Sequence, residues 1–293
     1  MYLYQIAEIN IYLNVPWQVQ LTAESELFFN EVSEKEFQEK ASEDEYLKFE
    51  STLYKEVIPQ NGYFYDFQYH CNELTSDIIY FSALPKENPY AAVTWSHNQD
   101  QPILCQYRCG TEAMLDKTCC VLRILSLETL LLRHHGLLLH ASFIRWNGQG
   151  ILFSAPSGIG KSTQANLWET YENAEILNGD RAGIRFVEEK WYAYGLPYAG
   201  SSEIYRNEKA PVKAIVVLKQ APENRVRKLS VSEAFGYLYP EFTLHRWDKR
   251  FCDIALNYIL ELLSAVPVYL LECLPDQSAV SVLKNELFPY GKS

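Results

Sequence analysis

Apolar positions near the start of the chain recur on a partly two-residue period, at Tyr4, Ile6, Ile9, Ile11 and Leu13. That pattern predicts a bent strand over residues 1–15, ending before Pro16. Residues 24–57 are acidic with sparse apolar positions (Leu27, Phe28, Phe37, Tyr46, Leu47) and predict some helix. From 61 to 109 the pattern turns aromatic and β-rich, in four runs: Tyr63-Phe-Tyr-Asp-Phe-Gln-Tyr69, Ile78-Ile-Tyr-Phe81, Ala91-Ala-Val-Thr-Trp95 and Ile103-Leu-Cys-Gln-Tyr107. Turn clusters at 85–89 and 98–102 separate them. Residues 1–110 therefore read as a mostly β lobe, and no chemistry can be assigned to it.

The period then lengthens. Leu115, Cys119, Leu122 and Leu125 predict one helix over 112–135, stopped by His134-His135-Gly136. Two strand-like runs, 137–145 and 150–155, flank Asn147-Gly148, the strongest short hairpin signal. A helix over 163–172 turns Ala165, Trp168 and Tyr171 inward, and a strand over 174–177 follows. A second hairpin is expected from 184–187 and 191–194, across Glu188-Glu-Lys190. The run 212–218 (Val-Lys-Ala-Ile-Val-Val-Leu) reads as a buried strand. Ser230 and Glu233 form a capping box. A helix over 249–264, a strand over 266–272 and a helix capped by Asp276 complete the chain. The fold class is α/β with a mixed sheet, residues 111–293 forming a second domain after the β-rich lobe.

With 293 residues, 48% of them hydrophobic, the chain can bury a sizeable core. The net charge of −11 argues against binding nucleic acid or an anionic membrane. Much of it lies in residues 21–60, where 11 Asp/Glu face 4 Lys; a solvated surface is the simpler reading of that stretch. The first residues lack a basic segment and a long apolar run. The apolar stretches 124–139 and 258–274 are interrupted by Glu128, Arg133 and two His, and by Glu261 and Pro267. A cytoplasmic protein is expected, and a homo-oligomer is compatible with the sequence. The seven cysteines do not read as a disulfide framework. The spacing of Cys105, Cys109, Cys119 and Cys120 fits no common zinc pattern, so free thiols are expected.

The chemistry concentrates after the first hairpin. Ile151-Leu-Phe-Ser-Ala-Pro-Ser-Gly-Ile-Gly-Lys-Ser-Thr163 has the pattern strand, phosphate-cradling loop, helix N-terminus. Ser157, Gly158, Ile159, Gly160, Lys161, Ser162 and Thr163 are the expected nucleotide-binding residues. Successive N–H groups would face one anion, Lys161 would reach the β/γ-phosphates, and the Ser162 hydroxyl would sit on Mg²⁺. The first position of the usual motif, a glycine, is Ala155. Asp180, at the end of the next strand in Asn178-Gly-Asp-Arg181, is the candidate second metal ligand. The polar segment 196–207 could shape a substrate site or close over phosphates, with Glu203 and Arg206 as its candidates. Their simpler reading is a surface ion pair.

Leu139-His-Ala141, the hairpin, the loop and Gly179-Asp180 together resemble the catalytic domain of HPr kinase/phosphorylase. In particular they resemble its relatives found with peptide-modifying systems, within the wider fold of the phosphoenolpyruvate carboxykinases. The resemblance covers roughly residues 112–290. It implies an ATP- and Mg²⁺-dependent kinase acting on a hydroxyl, usually serine, of a peptide, protein or small molecule. It places His140 close to the transferred phosphate. The family carries two adjacent Asp after the second strand, one a base and one at the metal; here the pair is Gly179-Asp180. Either Asp180 serves both roles or His140 takes the proton, and a nucleotide-dependent binding module without transfer is the alternative. The Arg-Gly-rich signature for HPr is missing, so HPr is not the expected substrate. Carboxykinase chemistry would need further metal ligands and an Arg clamp that the sequence does not offer.

Overall fold

The computed structural model describes residues 1–40, 44–52, 63–65, 68–73, 75–83, 88–98, 101–198 and 200–289. Parts of the predicted turns at 85–89 and 98–102, and Ala199, lie outside them. The chain divides into two compact units, Met1–Leu127 and Glu128–Ser293. The second unit thus begins 17 residues beyond the sequence-based boundary, which followed the onset of helical periodicity.

The first unit is built on one nine-stranded mixed sheet. Its strands are β1 (Tyr2–Ile6), β2 (Ile9–Asn14), β3 (Phe29–Glu31), β4 (Glu45–Thr52), β5 (Tyr63–Tyr65), β6 (Gln68–Asn72), β7 (Ser76–Phe81), β8 (Ala91–Ser96) and β9 (Ile103–Arg108). They lie in the order β3-β1-β2-β4-β9-β8-β7-β6-β5. The expected bent strand over 1–15 is instead the β1–β2 hairpin. Ala7 and Glu8 both take positive φ, 52° and 59°, which is the backbone of a type I′ turn, without the Asn or Gly that usually announces one. Helix α1 (Glu34–Lys40) buries Phe37 against Tyr12 and Tyr46.

The single helix expected over 112–135 is two, α2 (Thr118–Ile124) and α3 (Leu127–Arg133), separated by Ser126 at φ 42°. The reason lies in the pattern itself. Leu122, Ile124, Leu125, Leu127, Leu130 and Leu131 are all buried and wrap around the helix, so one straight rod could not turn them to a single face.

The second unit carries β10 (Gly136–Trp146), β11 (Gln149–Ser154), β12 (Glu175–Asn178), β13 (Arg181–Val187), β14 (Lys190–Tyr194), β15 (Lys209–Gln220), β16 (Arg225–Lys228) and β17 (Val268–Cys273). Its sheet runs β11-β10-β13-β14-β15-β17-β16, and β11 also pairs in parallel with β15, so five of the strands form a closed ring. Asn147 and Gly148 (φ 49° and 72°) make the expected tight turn between β10 and β11. Glu188 and Glu189 do the same for β13–β14.

Both faces of β11 and β15 are buried, which is why each reads as an almost unbroken apolar run. Leu152, Ile215 and Val217 face a core completed by α5 (Val231–Leu238) and α6 (Lys249–Ala265). Ile151, Phe153, Ala214, Val216 and Leu218 face another, with Trp168 of α4 (Lys161–Glu172) and Leu283 of α7 (Gln277–Leu287). Helix ends follow the local signals. Ser230 and Glu233 form the reciprocal capping box, the Asp276 carboxylate accepts from the Ala279 N–H, and α4 stops at Asn173 in the left-handed region. The mixed α/β fold class read from the sequence is the one observed. No helix among the described residues is long and apolar enough to cross a membrane.

Glycine separates two kinds of position here. A Cβ on Gly195 would stand on the Arg206 carbonyl oxygen, while one on Gly236, exposed in α5, would meet nothing within 4 Å. Gly195→Ala should therefore destabilise the protein by about 2 kcal/mol or more through a forced backbone shift. Gly236→Ala should stabilise it by roughly 0.5–1 kcal/mol. Urea denaturation midpoints of the two variants measure both, and equal midpoints would contradict the packing described.

Candidate functional site

The candidate loop leaves the end of β11, crosses residues 155–160 and enters α4 at Lys161. Gly158 (φ 81°) and Gly160 (φ 124°) hold conformations that side-chain-bearing residues rarely adopt, and a Cβ on either would meet little. Glycine is required there by backbone geometry, and the Ile159 N–H between them turns back to the Pro156 carbonyl at 3.4 Å. Ala155 is not among the positive-φ residues, so the position where the usual motif has glycine has no need of it here. Ser157, Gly158, Ser162 and Thr163 are exposed, and Ile159 and Gly160 half-buried.

Lys161 is buried. Its Nζ donates to the Ala155 carbonyl at 2.8 Å, and burial pushes its ammonium below the ordinary value while the Glu241 and Asp180 carboxylates oppose that shift. The lysine and two carboxylates from distant parts of the chain thus share one electrostatic neighbourhood.

Asp180 arrives there through an interruption in a strand. β12 and β13 both pair antiparallel with β10, and Gly179-Asp180 bulges between them. The Asp180 carbonyl accepts from Ala141 N–H at 3.0 Å and the Gly179 carbonyl from Ser142 Oγ at 2.9 Å. The fully buried Asn178 fixes the bulge. Its Oδ1 accepts from the N–H groups of Asp180 (2.9 Å) and Arg181 (3.0 Å), and its Nδ2 donates to the carbonyls of Leu196 (2.9 Å) and Tyr198 (2.8 Å). Every hydrogen-bonding site of that amide is in use.

His140 sits on β10 across from Arg181. Its Nε2 is 3.7 Å from Asp180 Oδ1, and its Nδ1 is 2.9 Å from Glu241 Oε2. Glu241, nearly buried, ends a 3₁₀ turn (Tyr239–Glu241) pinned to β10 by the Leu139–Phe242 bridge and by the Thr243 N–H on the Leu138 carbonyl, 2.9 Å. Behind it, the Ser154 hydroxyl at the end of β11 donates to the His140 carbonyl at 2.9 Å. On the far side of Asp180, Arg181 Nε lies 3.5 Å from Oδ2, its guanidinium over the Tyr198 ring.

The segment 196–207 does reach this group, through small residues. A Cβ on Gly179 would overlap the Ser202 side chain, and one on Gly200 would crowd the Asp180 carboxylate. Ser202 therefore occupies the space into which a side chain at 179 would project. Arg206 is not brought to His140 and Asp180. It is half-exposed and lies 4.0 Å from Glu208, whose other partner is Arg145 at 2.6 Å. The ion pair of Arg206 is thus with Glu208, and Glu203 is exposed at φ 53°.

Four residues of this neighbourhood escaped the sequence reading. Asn178 carried a legible sign, an Asn immediately before a Gly-Asp pair, whose side chain commonly bonds backbone ahead of it. Arg181 had only its adjacency to Asp180. Glu241 and Ser202 had none, because each is placed by contacts far along the chain. As a donor set, the Ser162 hydroxyl and the Asp180 carboxylate suit Mg²⁺, which takes oxygen ligands and needs only one or two from the protein beside phosphate and water.

Residues 108–275, a span that includes His140, Lys161, Asp180 and Glu241, match the family model described as ScmC: SynChlorMet cassette protein ScmC. No curated protein matches the chain. Among solved structures, the Hpr(Ser) kinase/phosphatase from Coxiella burnetii is similar over 51% of this chain and 95% of its own, at 11% identity and a TM-score of 0.32. That likeness is too slight to carry a function.

Asn178→Ala removes four hydrogen bonds at once and strands two carbonyls and two N–H groups. It should cost roughly 2–4 kcal/mol in stability. Denaturant unfolding gives the number, and a loss under about 0.5 kcal/mol would remove Asn178 from its organising role.

Proposed function

The chain belongs to the ScmC family of SynChlorMet cassette proteins, and we propose that it is an ATP- and Mg²⁺-dependent phosphotransferase. It moves the γ-phosphoryl group to a hydroxyl, a serine by preference, of a peptide, protein or small molecule. The observation that carries this reading is the grouping of Lys161, His140, Asp180 and Glu241 beside a loop with the backbone of a phosphate cradle.

Mg·ATP, when bound, would supply the phosphoryl group and a metal to offset phosphate charge. Backbone N–H groups of the loop and the Lys161 ammonium would hold the phosphates, and Ser162 and Asp180 would hold the metal. Glu241 takes a hydrogen bond from His140 Nδ1, which fixes the tautomer and leaves Nε2 as a proton acceptor. His140 then accepts the proton of the attacking hydroxyl, and Asp180 is left to the metal. This division answers the glycine at 179. Phosphoryl transfer asks the protein mainly for positioning and charge, so these few side chains suffice.

A second reading has one observation in its favour. With Ser202 packed where a carboxylate at 179 would stand, a binding module that senses ATP without transferring phosphate is the alternative.

Incubation with γ-labelled ATP, Mg²⁺ and peptides encoded beside the gene, followed by mass spectrometry, separates the two. Transfer should appear in the wild type and vanish in Lys161→Ala and Asp180→Asn. Glu241→Gln should lower kcat about 100-fold with the nucleotide KM unchanged. Wild-type rates in both of the first two variants would place the site elsewhere. Tight Mg·ATP binding with no adduct on any candidate would select the binding module.

A further inference from the structure

We propose that the cavity beside the phosphate loop is a nucleoside site that takes a neutral base bearing an exocyclic amine, with Gln164 as its polar anchor. The proposal rests on the reading of the loop as a nucleotide's phosphate site.

The cavity, of about 600 Å³, opens off the loop itself, with Gly158, Ile159, Gly160 and Thr163 in its wall. Whatever occupies it is continuous with what the loop N–H groups hold. The opposite wall comes from the ends of two strands, Leu218 and Gln220 of β15 and Cys273 of β17, extended by Ala221, Leu274 and Pro275. No charged side chain lines it, so it offers nothing to a second phosphate or a carboxylate. Its surfaces are apolar with two carboxamides set among them, the usual make-up of a site for a flat heterocycle. His140, Asp180 and Glu241 are not in its lining, so it stands apart from the group where an acceptor hydroxyl would react.

The two carboxamides differ. Gln220 Nε2 donates to the Ile159 carbonyl at 3.3 Å, tying the end of β15 to the loop. Gln164, on the first turn of α4, is 2% exposed. Its Nε2 donates to the Cys273 sulfur at 3.3 Å, a weak acceptor, and its Oε1 is buried with no partner. Buried acceptors are nearly always satisfied, and an orphan in a cavity wall points to a donor supplied from outside. An exocyclic amine on a nucleobase is such a donor. Burial pushes Cys273 up from its ordinary pKa, so its sulfur stays a neutral thiol beside the carboxamide.

Calorimetric titration with ATP, with purine riboside triphosphate (the same molecule with hydrogen for the 6-amine) and with inorganic tripolyphosphate, all with Mg²⁺, tests this. The wild type should prefer ATP over purine riboside triphosphate by roughly fivefold to tenfold, the effect of one hydrogen bond. Gln164→Leu should erase that preference. Ala221→Trp, which fills the cavity, should weaken ATP at least tenfold and leave tripolyphosphate within about twofold. Leu274→Trp, at a position already 38% exposed, should act in the same direction should Ala221→Trp not fold. Equal wild-type affinity for ATP and tripolyphosphate, with no effect of either tryptophan, would overturn the cavity assignment while leaving the loop as a phosphate site. A wild-type protein that binds none of the three would overturn the loop reading and the cavity assignment with it.

Discussion

The Asn178 carboxamide holds together two segments that sequence proximity alone would not align. On one side its oxygen takes the N–H groups of Asp180 and Arg181 and keeps the β12–β13 interruption in shape. On the other its nitrogen holds the carbonyls of Leu196 and Tyr198, where the chain turns toward Gly200 and Ser202. A strand carries side chains to alternate faces, so a bulge of two residues decides which way Asp180 points. That anchor sets where the Asp180 carboxylate stands relative to His140 and to Gly200, whose Cβ position it crowds. A fully used, fully buried amide is also hard to replace, because any substitute leaves a donor or an acceptor unpaired.

The ring of strands provides the frame on which that anchor acts. β10 is long enough to serve two neighbours on one edge, β13 with residues 136–140 and β12 with residues 143–145, and His140 and Ala141 lie where it passes from one to the other. On its other edge, residues 141–146 pair with β11, which delivers the loop. A single strand therefore fixes the distance between the loop, the histidine and the bulge. Charge then does the rest. Lys161 is drawn out of solvent, which alone would favour its neutral form, and two carboxylates across the site work against that.

How much of this was legible follows from how local each cause is. The Asn147-Gly148 turn, the Ser230–Glu233 box and the Asp276 cap are decided within a few residues, and the sequence states them directly. The backbone of the loop is of the same kind: Gly158 and Gly160 take the positive φ that glycine allows, and Ala155 does not. The β1–β2 turn was illegible for the opposite reason. Ala7 and Glu8 are poor residues for a left-handed turn, and the pairing of Ile6 with Ile9 and Tyr2 with Leu13 overrides them. The break at Ser126 is hidden within a helical period that remains sound on either side of it. Arg206 sits at the edge of the Glu208–Arg145–Glu175 cluster, 4.0 Å from Glu208, a placement that no local pattern announces.

Glu241 marks the limit of sequence reading for sites of this kind. It follows a proline after a capped helix and belongs to no motif. It reaches His140 because Phe242, buried in the core, pairs with Leu139 on the same strand. The packing of a hydrophobic residue thus delivers a carboxylate to a histidine 101 positions away in the chain. The glycine at 179 is connected to the same logic. Taken alone it reads as a lost carboxylate; the structure shows Ser202 in the space beside it and Glu241 paired with His140. The space at 179 is given to the covering segment, and a carboxylate enters from the opposite side of the histidine. A residue missing from a motif is therefore weak evidence of lost chemistry until the structure shows what fills its place and which neighbour holds the charge.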